Sequence, residues 1–466
     1  MKSEMMLKKI AYIAVVLYIL DIVFWGGGNL TKIGGVSTRM VFFAIAVLAC
    51  VPGMLKNIKQ YITNKYCLIV GGFMLFLVVS LVVGVINGNS RMIMSTDIKG
   101  FLNILIVFPM IYVLDTEDKI KSLLKIMIVG LLIITVVALG LSFYALYPTD
   151  VQDFAYEFFN SNVLCGLSSL YGNVTRVFFH TAGRLFFVGF MFLWAFSVIN
   201  TDKRIGKEIG LAALMCACFI SYTRSVYFAI FVCFVAFIVC VITLFKEKSK
   251  IYFMGILRMS IITLIFIFAL GITQGENLVE VAINRCLLAT MEIDEPVQTA
   301  DNSNKTDKKN TKKDKEKKDK TKVEEDFNNI KAEKSNLEIR ELRKKLAIKN
   351  IKKHPVFGNG LGVVNDINGE HIEYFYLDLL SKIGVIGTLI FFMPFIFCVY
   401  DLIKYRKQMK EINKILLFSA NISILFLFVI SYFNPCMNTN VGLVVYSLGM
   451  SIAVRAKADI VIEKHK

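Results

Sequence analysis

The residues best placed to do chemistry lie between His354 and Gly387, in the stretch HPVFGNGLGVVNDINGEHIEYFYLDLLSKIGVIG. Pro355 ends any helix before it, because proline lacks an N–H and its ring clashes with the preceding turn. Gly358, Gly360 and Gly362 then permit backbone angles and close approaches that side chains forbid. Nine residues beyond Gly362 stands His371, one of four histidines in the chain, followed by an aromatic, apolar run and by Gly384 and Gly387 at the predicted start of a membrane helix. A histidine at a membrane–water boundary can exchange protons near neutral pH or orient a hydroxyl. The plainer reading is an interfacial polar residue.

Arginines supply the second kind of chemistry, since a planar guanidinium holds two anionic oxygens at once and stays charged. Arg224, in SYTRSVYF, sits in a predicted tight turn between two membrane helices; it either meets an anionic substrate or snorkels to lipid phosphates. Arg176, His180 and Arg184 are spaced i, i+4, i+8. Read as helix, that spacing stacks them along one side of the sixth predicted span, as a cationic stripe facing a cavity. The alternative leaves Arg176 and His180 outside the bilayer and only Arg184 to explain. Arg340 falls in a predicted amphipathic helix and is either functional or part of a solvated charged face. Arg285 is a single basic residue in a loop. Arg258 and Asp21 lie within or near spans with no evident partner, and both stay unassigned.

Other chemistries find little support. No carboxylate pair suits glycosidase-type acid–base work, and Asp378 and Glu373 merely flank His371. There is no Walker motif and no metal-ligand spacing, so neither metal nor cofactor is proposed. Seven of the ten cysteines lie in apolar helices; Cys165, Cys286 and Cys436 fall near one face, where one disulfide is an open alternative.

These residues must be positioned by membrane helices. Hydrophobic residues make up 56% of 466, mean hydropathy is +0.61, and apolar runs long enough to cross a bilayer recur along the chain. The expected fold is an all-α polytopic membrane protein with about twelve spans: 10–25, 38–54, 66–87, 98–114, 123–147, 178–199, 207–222, 226–245, 252–273, 383–403, 415–432 and 438–454. The first is basic then apolar without a small-residue cleavage site, an uncleaved first helix. Basic residues alternate between loops as the positive-inside rule requires if both termini are cytoplasmic. Spans one to nine then fill residues 1–273, a large extracytoplasmic loop occupies 274–372, and spans ten to twelve fill 373–466.

That loop carries a lysine-rich tract at 301–326, with ten lysines and four acidic residues between Lys305 and Lys322. Its composition cannot bury enough surface to order it. It either only solvates the loop or gathers anionic polymer or headgroups. Ser335 and Glu338 form a capping-box pattern opening a helix at 335–353, with Leu337, Leu342, Leu346 and Ile351 on one face. Such a helix would bring Arg340 and Pro355 to one neighbourhood. The net charge of +17 comes from this tract and the cytoplasmic loops, without the fold context of a nucleic-acid reader, so no nucleic-acid partner is expected.

The order of parts, a basic helix, HP-x-x-G-x-G-x-G, H-x-x-Y-x-x-L and then G-x-x-G, resembles the O-antigen ligase and Wzy polymerase-like family of bacterial membrane glycosyltransferases. Arg224 in S-x-x-R-S resembles the family's serine–arginine motif, and Arg340 resembles the arginine before its HP-x-x-G turn. Two departures are Ile372, where a small polar residue is common, and Lys382, where an acidic residue is often found. The resemblance implies a GT-C-related helical architecture in the bacterial plasma membrane and an undecaprenyl diphosphate-linked glycan donor. It also implies inverting transfer to a hydroxyl at the outer face, without metal. On that basis His371 would activate or orient the acceptor. Arg224 and Arg340 would hold the diphosphate, and Arg176, His180, Arg184 and Arg285 would extend the binding site. A polymerase is the expectation. A ligase to a lipid, wall or protein acceptor, a glycan or lipid transporter, and a structural partner of other polysaccharide assembly proteins are the alternatives.

Overall fold

In the computed structural model, residues 2–25, 32–33, 36–170, 173–199, 204–287, 339–365 and 374–464 are described. His371, the lysine-rich tract 301–326 and residues 335–338 lie outside them. The described chain is mostly helical. In order it forms α1 (Lys2–Phe24), a short pair β1 (Lys32–Ile33) and β2 (Val36–Ser37), α2 (Thr38–Lys56), α3 (Ile58–Thr63), α4 (Lys65–Ile86), α5 (Arg91–Leu102), α6 (Val107–Val113), α7 (Glu117–Leu141) and α8 (Thr149–Ser161). An antiparallel hairpin follows, β3 (Cys165–Ser169) with β4 (Thr175–Phe179). Next come α9 (Ala182–Ile199), α10 (Arg204–Phe219), α11 (Arg224–Leu244), α12 (Ser249–Gln274), α13 (Leu278–Leu287), α14 (339–353), α15 (Phe375–Tyr405), α16 (Glu411–Ser431) and α17 (Asn440–Lys464).

Local sequence explains many ends. The Asn64 side chain accepts the Tyr66 N–H to cap α4, and Thr116 caps α7 ahead of Glu117 and Asp118, whose charges suit a helix N-terminus. Gly275 closes α12 at φ +70°.

Ten segments among the described residues are long and apolar enough to cross a membrane, α5 and α6 counting as one broken span. Of the other two expected spans, α1 carries Lys2, Glu4, Lys8, Lys9 and Asp21, and α10 has 16 residues. Helices α16 and α17 form the centre, 83% and 78% buried along their apolar windows, while α12 is only 11% buried. Small residues let other membrane helices pack closely: on α2, a Cβ on Gly53 would sit 2.1 Å from the hydroxyl oxygen of Tyr112 on α6.

Ion pairs tie one set of helix ends. Lys8 and Lys119 both reach Asp115, at 2.7 and 2.8 Å, Lys65 reaches the buried Asp401 at 2.7 Å, and Lys248 pairs with Glu411. The two charges first left unassigned have partners. Asp21 binds Arg39 at 2.9 Å in a buried pair, and Arg258 lies 3.5 Å from Glu208. All ten cysteines are free thiols, so the open disulfide is not formed.

Two elements stand apart from the sequence reading. Helix α8 exposes Phe154, Tyr156 and Phe158, an arrangement suited to a membrane interface. On α14 the buried positions are Ala347 and Asn350, while Leu342, placed on the apolar face by periodicity, is exposed.

Candidate active site

The glycine stretch is folded into a break in a membrane helix. Gly384 sits inside α15 at φ +62° and ψ −171°, so the helix that was expected to start there starts at Phe375 and is interrupted instead. A broken helix in a membrane must have its freed backbone groups satisfied by protein. The N–H groups of Val385 and Ile386 donate to the carbonyls of Pro355 and Val356, and those of Asn359 and Gly360 donate to the carbonyls of Ser381 and Lys382. This backbone-to-backbone fit explains the glycines. Gly358, Gly360 and Gly362 all have left-handed φ, and a Cβ on Gly358 would lie 2.4 Å from the Lys382 carbonyl oxygen.

Helices α4 and α5 hold the other side of this loop. Leu361 N–H donates to the Ser80 carbonyl, and Asn87 and Asn89 donate side-chain N–H groups to the Asn359 carbonyl, each at 3.0 Å. Gly362 N–H donates to Asp97 at 2.9 Å. Lys382 is buried between two carboxylates, 2.7 Å from Asp97 and 2.6 Å from Asp378. Thus the lysine that departs from the family pattern has a local reason: it balances an aspartate on α5. Asp97 was missed in the sequence, though an ionisable residue in an apolar run is the usual signal.

The arginines gather around the turn between α10 and α11. Tyr222 in that turn has φ +43°, a conformation that non-glycine residues adopt at a cost and that clusters at functional sites. Strand β4 docks on the turn through Val177 N–H to the Ile220 carbonyl. Arg176 donates to the Ser221 carbonyl at 3.1 Å and to Thr223 Oγ1 at 3.4 Å. Arg224, opening α11, donates from Nε to the Arg285 carbonyl at 2.7 Å, at the end of α13. A small apolar cluster, including Val174, Tyr222, Leu278 and Val281, packs hairpin, turn and α13 together beneath them. Burial and the neighbouring charges of Arg285 and Arg224 hold the Arg176 guanidinium below its ordinary pKa.

The expected helical stripe of Arg176, His180 and Arg184 is corrected. The span begins at Ala182, so Arg176 lies on a strand, His180 in the following turn and Arg184 in the first turn of α9. Strand period two places Arg176 and Phe178 on the half-exposed side, with His180 edge-on to Phe178 at 5.7 Å. Arg184 donates to the Pro435 carbonyl at 3.3 Å, and its Nε is buried without a hydrogen-bond partner. Among the described residues, Arg176 and Arg184 have backbone and hydroxyl partners but no carboxylate.

Burial first, then the charges of Arg184 and Arg176, lower the His180 pKa below its ordinary value. The fold therefore keeps this imidazole neutral, whereas the unfolded chain protonates it as pH falls through about 6.5. Its contribution to stability is whole above that pH and is lost as pH falls toward the folded value. In thermal melts between about pH 7.5 and 5, His180→Gln should flatten the acid limb relative to wild type.

The two halves are joined by the loop between α16 and α17. Tyr374, beside the start of α15, packs on Tyr432 at 6.3 Å; Phe433 packs on Phe228, one turn after Arg224, at 6.0 Å; and Pro435 accepts from Arg184. The structure thus brings together Arg176, His180, Arg184, Arg224 and Arg285. It places Arg340 on α14, ten residues before Asn350, which holds the glycine loop by donating to the Val364 carbonyl.

Fold and site define a polytopic membrane protein with a cluster of arginines around the α10–α11 turn and a broken helix, α15. Residues 209–392 match the family model described as O-antigen ligase (Wzy_C), and this part of the chain is of the O-antigen ligase and Wzy-like family. The class is that of glycan transfer at the membrane, of ligase or polymerase type. The matched stretch contains Arg224, Arg285, Arg340 and His371, while Arg176, His180 and Arg184 precede it, and Arg176 joins it in three dimensions through Ser221 and Thr223. No curated protein matches the chain.

Proposed function

We propose that the protein is a polysaccharide polymerase in the bacterial plasma membrane, joining a polyprenyl diphosphate-linked glycan to the hydroxyl of an acceptor sugar. The observation that carries the reading is the convergence of Arg176, Arg224 and Arg285, from a strand, a helix start and a helix end, on one strained turn. In this reading the acceptor oxygen attacks the anomeric carbon with inversion, the bond to the diphosphate breaks, and the hydroxyl proton passes to His371. Arg224 and its neighbours, with Arg340, stabilise the charge that the leaving diphosphate acquires. A lipid tail has a place to lie: an apolar cleft of about 380 Å³ between α10, α11 and α12, lined by Phe219, Tyr227, Phe231 and Phe234 among others, begins one turn from Arg224.

Twelve spans, α1 and α10 included, with both termini cytoplasmic, put the 274–372 loop and this centre on the outer side. The ion-paired lysines at the opposite helix ends accord with that orientation. The loop leaves room for a growing polymer, which favours a polymerase over a ligase. The break in α15 is also a feature of transporters, so the test must read movement as well as chemistry. Reconstituted in lipid with diphosphate-linked repeat units, the wild type should build glycan ladders and His371→Ala should not, at equal protein level. Transfer to a non-glycan acceptor without ladders would make it a ligase. Donor crossing the bilayer with no new glycosidic bond would refute glycan transfer altogether.

A further inference from the structure

At the end of the bundle opposite the arginine cluster, three lysines converge on two tyrosines of α15. Helix α16 spans the distance: it starts at Glu411, shortly after α15 ends at Tyr405, and Phe433, just past its other end, packs on Phe228 one turn from Arg224. The Lys65 Nζ lies 5.6 Å from the centre of the Tyr400 ring. Lys404 Nζ lies 5.2 Å from Tyr400 and 5.4 Å from Tyr405, and Lys457 Nζ of α17 lies 5.5 Å from Tyr405. Asp401 at the centre is wholly buried and already committed. One oxygen holds Lys65 and the other accepts the Tyr66 hydroxyl, each at 2.7 Å. Among the described residues, Lys404 and Lys457 meet rings but no carboxylate.

A polar pocket of about 270 Å³ opens between Lys65 and Lys457, with Gln60, Thr63 and Asn64 in its wall. The Asn64 side-chain oxygen caps α4, which leaves its amide N–H groups as donors. Ammonium and amide donors around a void select an anion, and a phosphate has oxygens enough to meet several of them at once. Such a phosphate could be free or belong to a lipid, and the outer side of α15 favours the lipid. Leu389, Met393, Ile396, Tyr400 and Ile403 recur at i, i+4, i+7, i+11 and i+14 and are 42–55% exposed. This apolar stripe runs from the lysine–tyrosine cluster along the helix, a bed for acyl chains that a soluble phosphate does not have. Basic pockets between membrane helices suit anionic headgroups, and tyrosine suits the headgroup level.

We propose that Lys65, Lys404 and Lys457 bind the phosphate of an anionic phospholipid, whose headgroup enters the Asn64 pocket and whose acyl chains lie along α15. The site joins α4, α15 and α17, so bound lipid ties together three helices, one of them the helix broken at Gly384.

The full chain, delipidated in detergent, is titrated with phosphatidylglycerol while its melting temperature is read. That temperature should rise as the lipid binds. Lys457→Gln should weaken the apparent affinity about fivefold, and adding Lys404→Gln should weaken it about fivefold again. Lys65 stays in place, because its loss would strand the buried Asp401 charge. Lys457→Arg keeps the charge and should keep the affinity, as should Lys125→Gln, which removes an exposed lysine from α7. Equal weakening by Lys125→Gln would mean general charge attraction and would overturn the site. Equal stabilisation by phosphatidylcholine would overturn it in favour of acyl packing alone. Displacement of the lipid by an equal concentration of glycerol phosphate would overturn the lipid in favour of a soluble phosphate. If Lys457→Gln does not fold, Lys404→Gln alone decides, since that side chain is exposed; unchanged affinity there would overturn the proposal.

Discussion

Arg224→Ala is expected to lower glycan transfer by roughly 100- to 1,000-fold, the usual loss when one charge-stabilising donor is removed from a transition state. The residue opens α11 just after a turn strained at Tyr222, and its Nε already spends one donor on the Arg285 carbonyl. A guanidinium is planar, so fixing Nε sets the direction of the whole fork. Alanine removes both the aim and the charge. Arg224→Lys restores the charge as a mobile point without the fork, and should recover part of the rate but less of the donor affinity. Single-turnover transfer from a diphosphate-linked glycan, with donor binding measured separately, distinguishes these losses. If Arg224→Ala transfers at the wild-type rate with normal donor binding, the arginine centre is not the diphosphate site.

Gly360→Ala should be strongly destabilising in the glycine loop that follows Pro355. The residue has φ +87°, and an added Cβ would lie 2.2 Å from the Gly84 nitrogen, 2.5 Å from its Cα and 2.8 Å from the Ser80 carbonyl oxygen. All three are backbone atoms of α4, so no side chain can swing aside. Left-handed strain of about 1–3 kcal/mol and overpacking of about 1–3 kcal/mol act together, and the loop can escape both only by leaving the break in α15. Gly275→Ala provides the comparison. Its φ is +70° but nothing lies within 4 Å of its Cβ, so strain acts there without the clash. Thermal unfolding in detergent should show a small loss for Gly275→Ala and a much larger one, or no folded protein, for Gly360→Ala. Equal shifts would mean that the loop does not press on α4 as described.

Much of this was legible in the chain. Long apolar runs specify membrane helices because a bilayer leaves no other partner for backbone polar groups, and the described spans follow those runs closely. The punctuation Pro355–Gly362 was likewise legible as a tight turn, since proline and glycine act on local backbone geometry alone. The candidate cations at 176, 180, 184, 224 and 285 could be picked out because charge near a membrane demands a reason.

What could not be read was how these pieces meet. Arg176, His180 and Arg184 have helical spacing, yet β4 pairs with β3 and the helix starts only at Ala182; i, i+4 is also one face of a strand. Lys382 was noticed as a departure, but its partner Asp97 lies 285 positions away. Gly384 was expected to open a helix. It breaks one, because the freed groups on either side find partners in Pro355–Gly360 rather than in the next turn. The sequence by itself determined the membrane class, the inventory of reactive residues and the sites of local backbone freedom, all of which depend on neighbours in the chain. The tertiary structure alone decided the broken helix, the arginine cluster and the buried Asp97–Lys382–Asp378 network, because each is completed by hydrogen bonds and charges between segments that no local pattern brings together.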